Sequence, residues 1–185
     1  MSFNNQRVLP AVRKIKDLEK LLTSPFQYIV LLDCHIGMLK SLVDLAKSHG
    51  KRPLLHVDLV EGLKNDEYAT EYLCQYIKPT GLISTRASVI MKTKDNGLLA
   101  IQRLFLLDSS ALRKSYTLLE RTKPDYIEVL PGVMPHIIKE VGEATGIPIV
   151  AGGLIRTVSD VENALEAGAT AVTTSDSSLW KHYQA

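Results

Sequence analysis

Residues 126–174 read YIEVLPGVMPHIIKEVGEATGIPIVAGGLIRTVSDVENALEAGATAVTT. Three short apolar runs, Tyr126–Leu130, Ile149–Ala151 and Ala171–Thr174, are separated by two stretches of helical period. The first stretch, Met134 to Ala144, is closed by Gly146, and the second, Thr157 to Ala167, by Gly168. Glycine just past the last periodic residue is a helix stop. Continuous apolar runs of this length suit strands covered on both faces, as in a parallel sheet.

The same alternation runs back to the start of the chain. Earlier runs are Val8–Ala11, Tyr28–Leu32, Leu54–Asp58, Gly81–Ser84 and Leu98–Phe105. Between them lie helical stretches at Arg13–Leu22, Met38–His49, Asp66–Ile77, Ser88–Asn96, and from an Asp108 or Ser109 cap to Arg121. Run starts fall about 17–28 residues apart, close to one βα unit each. Eight such units predict an α/β fold, a compact (β/α)8 TIM-type barrel, with a short eighth helix starting near Ser177. An open doubly wound sheet is the competing arrangement. No interdomain linker is visible, so residues 1–185 are expected to form one domain.

Composition bounds the function classes. The 185 residues are 45% hydrophobic and 23% charged, with a net charge of +2, so the chain is neither disordered nor a supercharged polycation. Cys34 and Cys74 form no C-x-x-C and read as two buried thiols in a reducing compartment. With no long apolar run and no signal peptide, the expected location is the cytoplasm.

In a barrel, functional groups lie at the C-terminal ends of the strands. Gly152-Gly153 after the seventh run lets backbone approach an oxyanion, and Thr173, Thr174 and Ser175 after the eighth offer hydroxyls and lead into a helix N-terminus. Loops in these two places are the usual phosphate position of the fold, so these five residues are the expected phosphate ligands.

The rest of the mouth is polar. Asp33, His35, His56 and Asp58 follow the second and third runs. His56 and Asp58, two apart, would share one face of a strand. The four are open to three readings: ligand hydroxyl contacts, a structural network, or a metal site, which the lack of tight ligand spacing disfavours. Glu128 sits mid-strand in an apolar run, where a carboxylate needs a partner, and Arg103 on the adjacent strand is the candidate. Asp33, His56, Asp58, Arg103, Glu128 and Gly132 are the expected polar contacts of a ligand. Two basic clusters, Arg86 with Lys92 and Lys94, and Arg113 with Lys114, Arg121 and Lys123, read first as solvated faces; Arg86, Lys92, Lys94, Arg113 and Lys114 are the candidate RNA contacts. No strand-end lysine suited to a Schiff base is present, so the competing enzyme reading is isomerase-type acid/base catalysis on a phosphorylated metabolite.

Several stretches carry a closer resemblance: Leu55-His-Val-Asp-Leu59, Gly81-Leu-Ile-Ser-Thr-Arg86, Arg103-Leu-Phe-Leu-Leu-Asp-Ser-Ser110, Asp125-Tyr-Ile-Glu-Val-Leu-Pro-Gly-Val-Met-Pro-His136, and Ile149-Val-Ala-Gly-Gly-Leu-Ile155 with Ala171-Val-Thr-Thr-Ser175. With them the chain resembles the glycerol uptake operon antiterminator family from Val8 to Trp180. The resemblance implies a regulator and not an enzyme, with glycerol 3-phosphate as effector, no cofactor, and leader mRNA of glycerol-utilisation genes as partner. It marks no RNA-contacting residue. The sequence leaves the oligomeric state open, including a homo-oligomer in which pairing creates the basic surface.

Overall fold

The structure, a computed structural model, describes residues 3–64 and 66–184. Residues 1, 2, 65 and 185 of the expected domain lie outside it. Eight parallel strands form one closed barrel in sequence order: β1 (Val8–Val12), β2 (Tyr28–Leu31), β3 (Arg52–His56), β4 (Gly81–Ser84), β5 (Leu99–Phe105), β6 (Tyr126–Leu130), β7 (Ile149–Gly152) and β8 (Ala169–Thr174). Closure is made by β8 on β1, where Leu9 pairs with Thr173 and Pro10 with Thr174.

Each strand is followed by a helix: α1 (Ile15–Leu22), α2 (Leu39–Ser48), α3 (Glu67–Tyr72), α4 (Ala87–Asp95), α5 (Ser109–Thr122), α6 (Pro135–Thr145), α7 (Val158–Glu166) and a short α8 (Ser177–His182). Local chemistry sets their ends. Asp108 accepts from Ala111 N–H at the start of α5, and Thr157 and Asp160 form a reciprocal capping box on α7. Pro135 opens α6, where a missing N–H costs nothing, and Gly146 closes it at φ +65°. The third helical stretch differs from expectation: α3 ends at Tyr72, and Leu73–Ile77 widen into a π turn.

Strand side chains alternate between two apolar layers. One layer packs under the helices and includes Leu55, Leu82, Ile127 and Val172. The other fills the barrel with one residue from each strand: Leu9, Val30, Leu54, Ile83, Ile101, Tyr126, Val150 and Ala171. Below them Phe3 is buried against Tyr28 and Tyr126, with ring centroids 5.1 and 4.4 Å away. Two residues further along the strands, toward their C-terminal ends, the inward positions become Ala11, His56, Arg103, Glu128, Gly152 and Thr173. That alternation lifts a polar layer onto an apolar floor. Cys34 and Cys74 are free and buried, and burial raises both thiols to about 11.

Candidate functional site

A cavity of about 160 Å³ opens at the C-terminal mouth of the barrel. Its apolar wall comes from Ala11, Val30, Leu32 and Leu59, and its polar wall from Arg13, Arg103, Glu128, Thr173, Thr174 and Ser175, with Gly153, Leu154 and Ile155 of the β7 loop beside them.

Glu128 anchors the site. Its side chain is 1% exposed, its Oε2 accepts from Arg103 Nε at 2.6 Å, and its Oε1 accepts from Thr173 Oγ1 at 2.7 Å. The ion pair expected between β5 and β6 is present, in register, with Arg103 opposite Glu128. Each carboxylate oxygen keeps a lone pair beyond these bonds, so the group has capacity to accept a further hydrogen bond. Gly152 lies between the partners: a Cβ there would come within 2.5 Å of Thr173 Oγ1 and 2.8 Å of Glu128 Oε1.

The β7 loop departs from ordinary backbone. Gly153 has φ +75° and Leu154 φ +60°, both in the left-handed region. Gly153 and Ser175 are exposed and line the cavity. The other hydroxyls are engaged within the protein. Thr173 is spent on Glu128, and Thr174 donates to Ile155 C=O at 3.3 Å while accepting from Asp176 N–H at 3.1 Å. The start of α8 differs from the expected anion site, because Asp176 caps it with its own carboxylate, accepting from Ser178 N–H at 2.8 Å. Gly132 is placed for packing, not as a free donor: its N–H goes to Gly152 C=O at 2.6 Å, and a Cβ would stand 2.7 Å from Gly152 N.

The four residues weighed as a cluster split, Asp33 and His35 lining one cavity and Asp58 lying near enough to His56 to act on its charge. Asp33 is ion-paired with Arg13, and His35 Nδ1 accepts from Gly37 N–H at 3.1 Å. β3 ends at His56, and Asp58 lies in a 3-10 turn, so the two do not share a strand face. Asp58 instead ties this turn to the end of β4, accepting from Ser84 Oγ at 2.5 Å, Thr85 N–H at 2.7 Å and Thr85 Oγ1 at 2.9 Å. Among the described residues no group of three His, Cys, Asp or Glu side chains is placed to hold a metal ion.

His56 belongs to the inward polar layer beside Arg103 and Glu128. It is 2% exposed, and neither ring nitrogen has a hydrogen-bond partner among the described residues. Burial, reinforced by the Arg103 charge and partly opposed by Glu128 and Asp58, lowers its pKa to about 4. The ring is therefore neutral at neutral pH, one nitrogen donating and the other accepting. The orphaned Gln102 Oε1 lies on the opposite face of its strand, and its amide nitrogen donates to Ser84 and Thr85 carbonyls at 3.1 and 3.0 Å.

The basic clusters divide. Lys92 pairs with Glu71 at 3.2 Å and Lys94 with Asp125 at 3.3 Å, and both are half-buried. Arg86, Arg113 and Lys114 are exposed. Arg103 points into the barrel and lies apart from both clusters. Arg13, which sequence reading placed at the start of a helix, lines the cavity; its position one residue past β1 was the available signal.

Residues 8–180 match the family model described as glycerol-3-phosphate responsive antiterminator. The chain belongs to this family. It is 48% identical to the glycerol uptake operon antiterminator regulatory protein of Listeria monocytogenes, whose crystal structure matches with a TM-score of 0.95 over 98% of each chain. A glycerol uptake operon antiterminator-related protein of Thermotoga maritima is 26% identical, with a TM-score of 0.84 over 95% of this chain and 98% of that one. The uncharacterized protein YgcP of Escherichia coli is 34% identical over 173 residues, 94% of this chain and 91% of YgcP. Deoxyribose phosphate aldolases are distant barrels that share the fold alone. The antiterminator family is a regulatory one, which argues against the isomerase-type reading. Among the described residues no helix is long and apolar enough to cross a membrane.

Proposed function

We propose that this antiterminator senses glycerol 3-phosphate in the barrel mouth and, once loaded, acts on the leader mRNA of glycerol-utilisation genes so that transcription passes a terminator. The observation that carries the reading is the composition of one cavity. Gly153 and Ser175, at the ends of β7 and β8, face the same small space as the fixed carboxylate of Glu128. A phosphate fits the first pair, through backbone N–H groups and a hydroxyl. A polyol hydroxyl fits the second. Glycerol 3-phosphate carries both groups a few bonds apart. Thr173 and Thr174 serve this site as wall and support, and His56 lies in the same inward layer. Arg86, Arg113 and Lys114 are the exposed cations left to meet RNA, whose phosphates would make binding salt-dependent.

The test is calorimetric titration of glycerol 3-phosphate, with glycerol and inorganic phosphate as controls, on the wild type and Gly153→Ala, followed by a leader-RNA gel shift with and without the metabolite. Binding of glycerol 3-phosphate well above both controls, lost in Gly153→Ala, together with a metabolite-dependent RNA shift, is expected. Equal binding of all three compounds, or an RNA shift indifferent to the metabolite, rejects the reading.

A further inference from the structure

A phosphate dianion in the mouth needs a cation, and loop N–H groups supply only partial charge. Two arginines line the cavity. Arg103 is committed to Glu128 at 2.6 Å, with its side chain 13% exposed. Releasing it would strand a buried carboxylate, which is costly. Arg13 is in the opposite situation. It follows β1, the strand that neighbours β8, so it stands on the Ser175 side of the mouth. Its partner is Asp33, and the pair is open to solvent, with side chains 54% and 35% exposed. Exposed pairs of this kind are weak.

The two members of that pair share one space, but Arg13 borders a second as well. Arg13 lines both the mouth cavity and a second, mainly apolar cavity of about 210 Å³ between α1 and α2. Asp33 lines only the second. Arg13 thus borders both spaces, with its single carboxylate partner on one side and the proposed phosphate position on the other. A phosphate offers up to two negative charges and two oxygens matched to the guanidinium fork. It should outcompete Asp33.

We propose that Arg13 is the phosphate-binding cation of the site and that Asp33 competes with the ligand phosphate for it. The proposal rests on the reading of the mouth as a phosphorylated-metabolite site. It makes Asp33 a brake on binding, where sequence reading expected a hydroxyl ligand.

The experiment is calorimetric titration of glycerol 3-phosphate and, in parallel, inorganic phosphate into the wild type, Arg13→Ala, Arg13→Lys, Asp33→Asn and the Arg13→Ala/Asp33→Asn double variant, with thermal midpoints to confirm folding. Arg13→Ala should weaken glycerol 3-phosphate roughly ten- to a hundredfold, the range of a charge-assisted pair, with Arg13→Lys between. Asp33→Asn should tighten binding, by about two- to fivefold, and should do nothing in the Arg13→Ala background. Unchanged affinity in Arg13→Ala overturns the assignment, and weaker binding in Asp33→Asn overturns the competition. If the wild type takes phosphate through Arg13 but shows no preference for glycerol 3-phosphate, the effector reading fails while the Arg13 assignment stands. If it takes neither probe, both fail.

Discussion

Thr173 on β8 donates its hydroxyl to Oε1 of Glu128 on β6 at 2.7 Å, reaching past the strand between them. The contact exists because β7 carries Gly152 at that level, and with no side chain there the two groups meet in the space a Cβ would take. Three adjacent strands therefore hold one carboxylate, with Arg103 fixing its other oxygen from β5.

Gly152→Ala tests this directly. The added methyl meets two fixed polar atoms, so the carboxylate must move. Overpacking of this kind costs about 1–3 kcal/mol. For a chain of this size that is a fall in Tm of roughly 2–4 °C per kcal/mol, measurable by calorimetry. A variant as stable as the wild type would show that Glu128 tolerates displacement.

Glu128→Ala should be more damaging, because it leaves the Arg103 charge largely buried without a partner. A loss of about 3–5 kcal/mol in urea unfolding is expected. Arg103→Met added to Glu128→Ala should recover part of that loss, since the stranded charge is gone. Strictly additive effects would mean that the two side chains act independently.

His56 imposes a pH dependence of definite sign. Its pKa falls from about 6.5 in the unfolded chain to about 4 in the fold, so the unfolded state binds more protons between those values. Stability from this group is complete above about pH 6.5 and is lost as pH falls toward 4, by an amount on the order of 3 kcal/mol. Urea midpoints recorded between pH 4 and 7.5 should fall on acidification in the wild type and fall less in His56→Gln. Parallel curves for the two would remove His56 as the cause.

The exposed and paired cations should separate in RNA binding. Arg113→Ala or Lys114→Ala should lower the slope of log affinity against log salt by roughly 0.7–1 if the residue meets a phosphate. Lys94→Ala, which gives up its pair with Asp125, should leave that slope alone and cost less than about 1 kcal/mol of stability. A drop in slope for Lys94→Ala alone would move the RNA face to α4.

The barrel was legible because each strand is a short apolar run and glycines or prolines punctuate the helices; the Gly81–Ser84 and Tyr126–Leu130 strands match their expected bounds. Glu128 and Arg103 were legible because a charge in an apolar run has to find its opposite on a neighbouring strand. Contacts between residues far apart in the chain were not. Thr173 and Glu128 are 45 residues apart, and Lys94 and Asp125 are 31 apart; nothing local announces either. Asp58 was misplaced because Val57 extends the apolar run of β3 although the backbone has already turned. Arg13 was read as helix because it precedes α1, while its function comes from sitting beside β8.

Phe3, wedged under the barrel between Tyr28 and Tyr126, makes the interior a blind alley. A metabolite that enters at the mouth has to leave by the same door. Anything seated over that door after loading holds the occupant in, and the dwell time of the small molecule becomes tied to that of the macromolecule above it. If the proposed metabolite and RNA bind as read above, release of the first waits on release of the second.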